Sequence, residues 1–505
     1  MSKLYIREIR PSRIYQLVAV SLITIITTAC AVDEEDISPL HIRSVATVLG
    51  LTGDPTTKTN NTLPDISDPK AQLGMKLFFT KGLGGDVDTA CVSCHHPVLG
   101  GGDNLSLSIG VGAENPDLLG PGRFHDLLAD GYDGGPTVPR NAPTTFNIGL
   151  WDQVMFLDGR VESLGKTAGS NGNDDLGIVT PDSDTDDNGN LQADPDAGDN
   201  LPTAQSRFPV TSHEKMRGFI FEAGSTNDEV RNALATQLQT LQIDNGWDNE
   251  FLAVYGDTTI TYARIAEAIG EYERSQVFVN TPWKAFMDGD DGAISEAARR
   301  GALLFMLPTR VNGASCISCH RGDFFTDERF HVLGMPQIGR GKGDGTTGTD
   351  DFGRFRVTGN ENDRYAFRTP SLLNVTETGP WGHAGSYTSL EAVIRHHLDP
   401  QAAFDAYDVL QLENSIRDSG QTVDMDLNTQ NALNKLAENR LAGIPSIETV
   451  SLTDEQVGYL VEFLKTLTDP CVTDRDCLAP WIPDSSDIDP DGERLIAVDE
   501  TFTPL

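Results

Sequence analysis

Two short motifs constrain this chain more than anything else in it: Cys91-Val-Ser-Cys94-His95 and Cys316-Ile-Ser-Cys319-His320. Two thiols three positions apart can each add to a vinyl group of one haem, and the histidine that follows presents its imidazole to the iron, so C-x-x-C-H is the attachment motif of c-type haem. With 7 Cys and 10 His in 505 residues, one such motif arises by chance about 0.002 times, and this chain holds two. A zinc site would want a second C-x-x-C pair in place of the immediate histidine. Two attachment points so far apart imply two covalently bound haems, two domains to hold them, and cores organised around a cofactor rather than a sheet.

The rest of the sequence fits that demand. Residues 68–80, 227–241, 259–277, 293–306, 388–398 and 453–467 read as helices, most of them with apolar residues at i, i+3, i+4 spacing, and the last opens on a capping box, Thr453-Asp454-Glu455-Gln456. Long loops rich in Gly, Pro, Asn and Asp separate them, and strand signals are few. The expected fold is therefore mainly α, two cytochrome c-like haem domains with long irregular loops. The expected divisions are a flexible lead at 32–67, a first haem domain at 68–282 with an acidic insertion at 168–200, a second haem domain at 283–470, and a tail at 471–505. In that tail Cys471 and Cys477 are spaced for a disulfide.

Compartment and partners are also readable. Lys3, Arg7, Arg10 and Arg13 precede an uncharged, largely apolar stretch from Tyr15 to Ala29, too short for a membrane span of roughly 20 residues but suited to a secretory signal ending near residue 31. Ala29-Cys30-Ala31 fits ordinary cleavage, and Thr27-Thr28-Ala29-Cys30 is an imperfect lipoprotein box, so removal or a lipid anchor on Cys30 are both open. A periplasmic location follows in either case. The formal charge of −37 argues against nucleic acid and anionic lipid as partners and suits a basic one. Asp184, Asp186, Asn188 and Asn190 before or beside Gly189 read as the start of a calcium loop or as a solvated acidic loop, and Asp487, Asp489, Asp491 and Gly492 repeat the pattern. Both lack the glutamate that completes an EF-hand.

The ordered set CVSCHHPVLGGGDNLSLSIGVG, PRNAPTTFN, FLDGR, QSRFPV, CISCHRGDFF, YAFRTPSLLNV and GPWGHAGSYTSLEAVIRHH resembles the bacterial di-haem cytochrome c peroxidases, including their MauG-type branch. The resemblance runs from about residue 68 to 470. It implies an enzyme that reduces hydrogen peroxide with electrons from a small cytochrome c or cupredoxin, or a MauG-like oxidase of Trp or Tyr in a partner protein; a di-haem electron carrier is the non-catalytic rival. It places His95 on a peroxide-binding iron, with Gln205, Pro209 and a catalytic glutamate nearby. Glu214 takes that last role only through a one-residue shift, since a gap-free match falls on Lys215. It makes His320 the ligand of an electron-transfer iron and puts a sixth ligand at His397, with His396 and Met335 as rivals. It also implies an inter-domain calcium held by Asn141 and by Thr378 and Pro380.

Two departures stand out. Reductively activated peroxidases carry Ser-Ile-Gly-His, and this chain has Ser108-Ile109-Gly110-Val111, so the first iron is expected to be open without prior reduction. His96 adjoins His95 and is expected to face elsewhere. The usual tryptophan of the family's FWDGR motif is Leu157, which is not redox active, leaving Trp151 or Phe156 as aromatics between the haems.

Overall fold

The computed structural model describes residues 37–59, 62–132, 134–165 and 176–505. The expected signal segment, Cys30 and the first part of the acidic insertion lie outside them. The architecture is mainly helical with few strands. Its longer helices are α1 (Pro39–Val48), α2 (Pro69–Phe79), α3 (Asn227–Leu241), α4 (Gly246–Tyr255), α5 (Tyr262–Arg274), α6 (Glu296–Met306), α7 (Leu390–Leu398), α8 (Met425–Leu441) and α9 (Asp454–Lys465). Local chemistry sets their starts. Thr226 and Glu229 form a capping box for α3, Thr453 and Gln456 one for α9, and Ser295 and Ser389 cap α6 and α7. Strands are confined to two small antiparallel sheets: β1 (Val154–Met155), β2 (Val161–Ser163) and β3 (Ile178–Val179) in one, with Met155 opposite Val161, and β4 (Phe330–Val332) with β5 (Ala366–Arg368) in the other.

Two large cores correspond to the two halves. The first gathers Phe78, Phe79, Trp247, Phe251 and Tyr272; the second gathers Trp283, Phe305, Phe325 and Phe463. Each is framed by a helix pair that meets at a glycine. A Cβ on Gly74 of α2 would lie 1.9 Å from the Ala268 carbonyl oxygen of α5, and one on Gly301 of α6 would lie 1.8 Å from that of Tyr459 on α9. Only hydrogen fits at either crossing. In each half the helix that carries the glycine leads within a short loop to the thiol motif.

The segment expected as a flexible lead is folded over its described part. Ile42, Ala46 and Leu51 are fully buried in the second core, and the Asp323 carboxylate accepts hydrogen bonds from the backbone N–H groups of Thr52 and Gly53. Ile42 and Ala46, four positions apart, form the docked face of α1, while Leu40 and Val48 stay exposed. The tail also turns back. Cys471 and Cys477 are joined, and Val472, Leu478, Ile482, Leu495 and Ala497 belong to the first core rather than to the half that precedes them in sequence. In its acidic loop, Asp491 accepts from Thr80 Oγ1 at 2.8 Å and Trp247 Nε1 at 2.9 Å, so this carboxylate ties the tail to the first half. Among the described residues no helix is long and apolar enough to cross a membrane.

The glycine crossings make a direct prediction. Gly74→Ala and Gly301→Ala should each cost about 1–3 kcal/mol by overpacking against backbone. Gly458→Ala, where no atom lies within 4 Å of the added methyl, should be neutral or stabilising. Thermal unfolding of the three variants would check this, and equal melting temperatures would refute it.

Candidate functional site

Both motifs sit on short 3-10 turns, Cys91–Ser93 and Cys316–Ser318, and all four thiols are unpaired. In the second half, His320 Nδ1 is 3.0 Å from the Phe325 carbonyl, and His397 on α7 has Nδ1 2.8 Å from that of Val393. A carbonyl at Nδ1 fixes the proton there and leaves Nε2 bare in each ring. The two ring centroids are 6.4 Å apart. Burial, and then the neighbouring His397, push His320 down to about 4, and burial lowers His397, so both rings are neutral as ligands must be.

The neighbours are otherwise engaged. His396 is wholly buried with Nδ1 2.8 Å from Tyr387 Oη and Nε2 2.9 Å from the Leu333 carbonyl. Met335 lines the same cavity and packs with Tyr387 and Val393. His331 and Asp327 gather with Cys319, a thiol that the motif commits to haem.

The first half is built differently. His95 Nδ1 lies 3.2 Å from the Gly101 carbonyl, again leaving Nε2 bare, and burial pushes the ring down to about 4. Its cavity is lined by Cys91, Cys94, Gln205, Pro209, Lys215 and Glu273, and no second histidine lines it. His96 is wholly buried with Nδ1 accepting from the Val98 N–H and its ring against Phe79. Val111 is 1% exposed and offers no ligand atom.

Gln205 and Pro209 line the cavity of His95, and Glu214 does not. Glu214 is absent from the cavity wall, with its carboxylate accepting from Ser212 Oγ at 2.8 Å. The reason is local: His213–Arg217 is a single π-helical turn pressed onto Gly110, whose absent Cβ would meet the Glu214 and Lys215 carbonyls at 2.4 Å. That turn buries Met216 and aims Lys215 into the cavity. Burial, with Arg160, Lys342 and Arg140 nearby, pushes Lys215 down to about 7. Nothing in residue type marked Lys215, although the gap-free register pointed at it. Glu273 had no sequence signal at all; it lines both cavities, has one carboxyl oxygen without a partner, and burial pushes it up to about 8.

A larger cavity of about 580 Å³ carries His320 and His397 on its wall and reaches His95, Phe156, Leu157 and Trp151. Trp151 packs edge-on to Phe324 at 4.8 Å, and the Arg368 guanidinium lies 3.7 Å from its ring centre. Phe156 lies under Arg160, 3.4 Å away, and lines both cavities. The halves are linked by Arg140, which donates to Asp351 at 2.6 and 2.8 Å and to Asp158 at 2.7 Å. Asn141, Thr378 and Pro380 line the larger cavity together; Asn141 Nδ2 donates to the Leu105 carbonyl at 2.9 Å.

Residues 68–292 match the family model of di-haem cytochrome c peroxidase. The chain is 26% identical over 328 residues to methylamine utilization protein MauG of Methylophilus methylotrophus, covering 65% of this chain and 72% of that one. It is 25% identical over 332 residues to cytochrome c551 peroxidase of Pseudomonas aeruginosa, covering 65% and 71%. The crystal structure of a MauG-like protein associated with microbial copper homeostasis superposes with a TM-score of 0.52 at 20% identity, over 83% of this chain and 96% of that one, a likeness of fold.

Glu273 supplies a pH test. Between its ordinary value of 4.5 and about 8 the unfolded carboxyl ionises while the folded one keeps its proton, so stability falls as pH rises through that window. The slope is at most about 1.4 kcal/mol per pH unit. Glu273→Gln should flatten this part of the stability profile from pH 5 to 8, and parallel profiles for the two proteins would refute the assignment.

Proposed function

Since the chain is a relative of the di-haem cytochrome c peroxidases and MauG proteins, we propose that it is a periplasmic di-haem peroxidase that turns hydrogen peroxide, two electrons and two protons into two waters. The carrying observation is the asymmetry of the two sites. His320 and His397 lie with ring centres 6.4 Å apart on one cavity wall, whereas the smaller cavity that His95 shares with Gln205 and Pro209 has no second histidine on its wall. A filled coordination shell makes an electron relay and an open one makes a reaction site. Two c-type haems, bound through Cys91 and Cys94 and through Cys316 and Cys319, would supply the redox centres.

The chain's own residues do the rest. The Gly101 and Phe325 carbonyls hold His95 and His320 in the tautomer that presents Nε2. The Gln205 amide and Pro209 shape the cavity that His95 lines. Phe156 and Trp151, rather than Leu157, provide the aromatic path between the halves. Asn141 and the carbonyls of Thr378 and Pro380 are hard oxygen donors for an inter-domain calcium, a reading supported by their place on one cavity wall. The formal charge of −37 favours a donor with a basic docking face, a small cytochrome c or cupredoxin.

Val111 supports a second reading, a MauG-like oxidase in which a Trp or Tyr of a partner protein gives up the two electrons. Leu157 weighs against it, because leucine in place of the usual tryptophan cannot share a positive hole between the haems.

An EPR spectrum of the diferric protein tests the proposal. A high-spin signal beside a low-spin bis-imidazole signal is expected, with the high-spin one lost on adding stoichiometric peroxide. Two unresponsive low-spin signals would leave an electron carrier. His397→Met should raise the potential of the low-spin haem by on the order of 0.1 V, since thioether favours ferrous iron within the roughly 0.8 V that axial ligands span; an unchanged potential in redox titration would remove His397 from the iron.

A further inference from the structure

The cavity of His95 holds a polar side chain that the peroxidase reading leaves without a task. Lys215 projects into it beside Gln205 and Pro209. Among the described residues no carboxylate pairs with its Nζ, whose recorded contact is the face of Phe156, 5.7 Å from the ring centre. Arg160, Lys342 and Arg140 all act on it as like charges. Arg140 and Arg160 are matched by Asp158 and Asp351. Glu214 acts on Lys342 and Arg340 from outside the cavity. Glu273, the remaining acid on the wall, is held protonated by burial. Lys215 is thus the uncompensated cation of the pocket, and its surroundings make the neutral amine accessible.

We propose that Lys215 is the proton-handling residue of this site: its Nζ takes one proton from bound hydrogen peroxide, holds the hydroperoxide anion as an ammonium, and returns that proton as the O–O bond breaks, so that one oxygen departs as water and the other takes up the two electrons and two further protons of the peroxidase reaction to become the second water. The assignment rests on the peroxidase reading. An amine does what a carboxylate can do as a base, but it becomes positive rather than neutral when it accepts the proton. The pocket should therefore favour small anions, which a carboxylate in the same position would repel.

The test uses the ferric holoprotein, with fluoride affinity measured by absorbance titration and peroxide reaction by rapid mixing. Lys215→Gln should weaken fluoride binding about tenfold or more and slow the peroxide reaction by about 10²–10⁴. Lys215→Arg should keep fluoride affinity within about threefold, because the charge remains. Lys215→Glu should recover much of the peroxide rate but none of the fluoride affinity, separating base from charge. Haem content per chain confirms that each variant is folded. If wild-type protein responds to both ligands and Lys215→Gln behaves identically, Lys215 has no such role and the peroxidase reading stands. If wild-type protein responds to neither, the peroxidase reading falls and this assignment with it.

Discussion

Each half of this molecule hangs on one close contact, a helix crossing in which a glycine meets a backbone carbonyl of its partner. Gly74 against Ala268 and Gly301 against Tyr459 bring the helix axes nearer than any side chain would allow. The helix that carries the glycine then delivers the chain to the thiol turn, so the crossing fixes where two sulfurs and an imidazole face their cavity. A core built this way is arranged around a space rather than around packed side chains. Each aromatic cluster reaches its cavity at one edge, through Phe78 in the first half and Phe305 in the second, while Trp247 and Trp283 lie behind.

The two halves share this frame and differ in what stands across from the histidine. In the second half α7 places His397 opposite His320, and the adjacent His396 is used up by Tyr387 and Leu333. In the first half, the π-helical turn at 213–217 closes over Gly110, and a lysine occupies the wall. The Arg140 ion network holds Asp158 of the first half and Asp351 of the second in one buried cluster. Since burying those charges singly would be costly, the halves keep a fixed relation to one another.

Much of this was legible in the sequence, for reasons that can be named. The attachment motifs are rigid in spacing and rare in composition, and α3, α5, α6, α7 and α9 show clear apolar periodicity with capping residues. Helix α8 escaped because it buries Asn428, Thr429 and Asn439 on its inner face, so its periodicity is polar. Helix α4 follows α3 after a short turn and starts at a glycine without a capping side chain. Helix α1 was hidden by a polar, Thr-rich context that reads as loose chain. His397 could be placed by counting from Leu390, since a helix carries register over seven positions. Glu214 could not, because its place rested on a one-residue shift chosen for its carboxylate, whereas the gap-free register falls on Lys215, the side chain that lines the cavity.

Leu495 donates its N–H to the Phe79 carbonyl, and Val472, Leu478 and Ala497 fill gaps in the first core. The wall behind Cys91 and Cys94 is therefore completed by residues that follow the second attachment motif in sequence, so the first core closes only after the chain has run through both halves. Contacts of such long sequence separation are slow to form, which places the sealing of the first cavity late in folding.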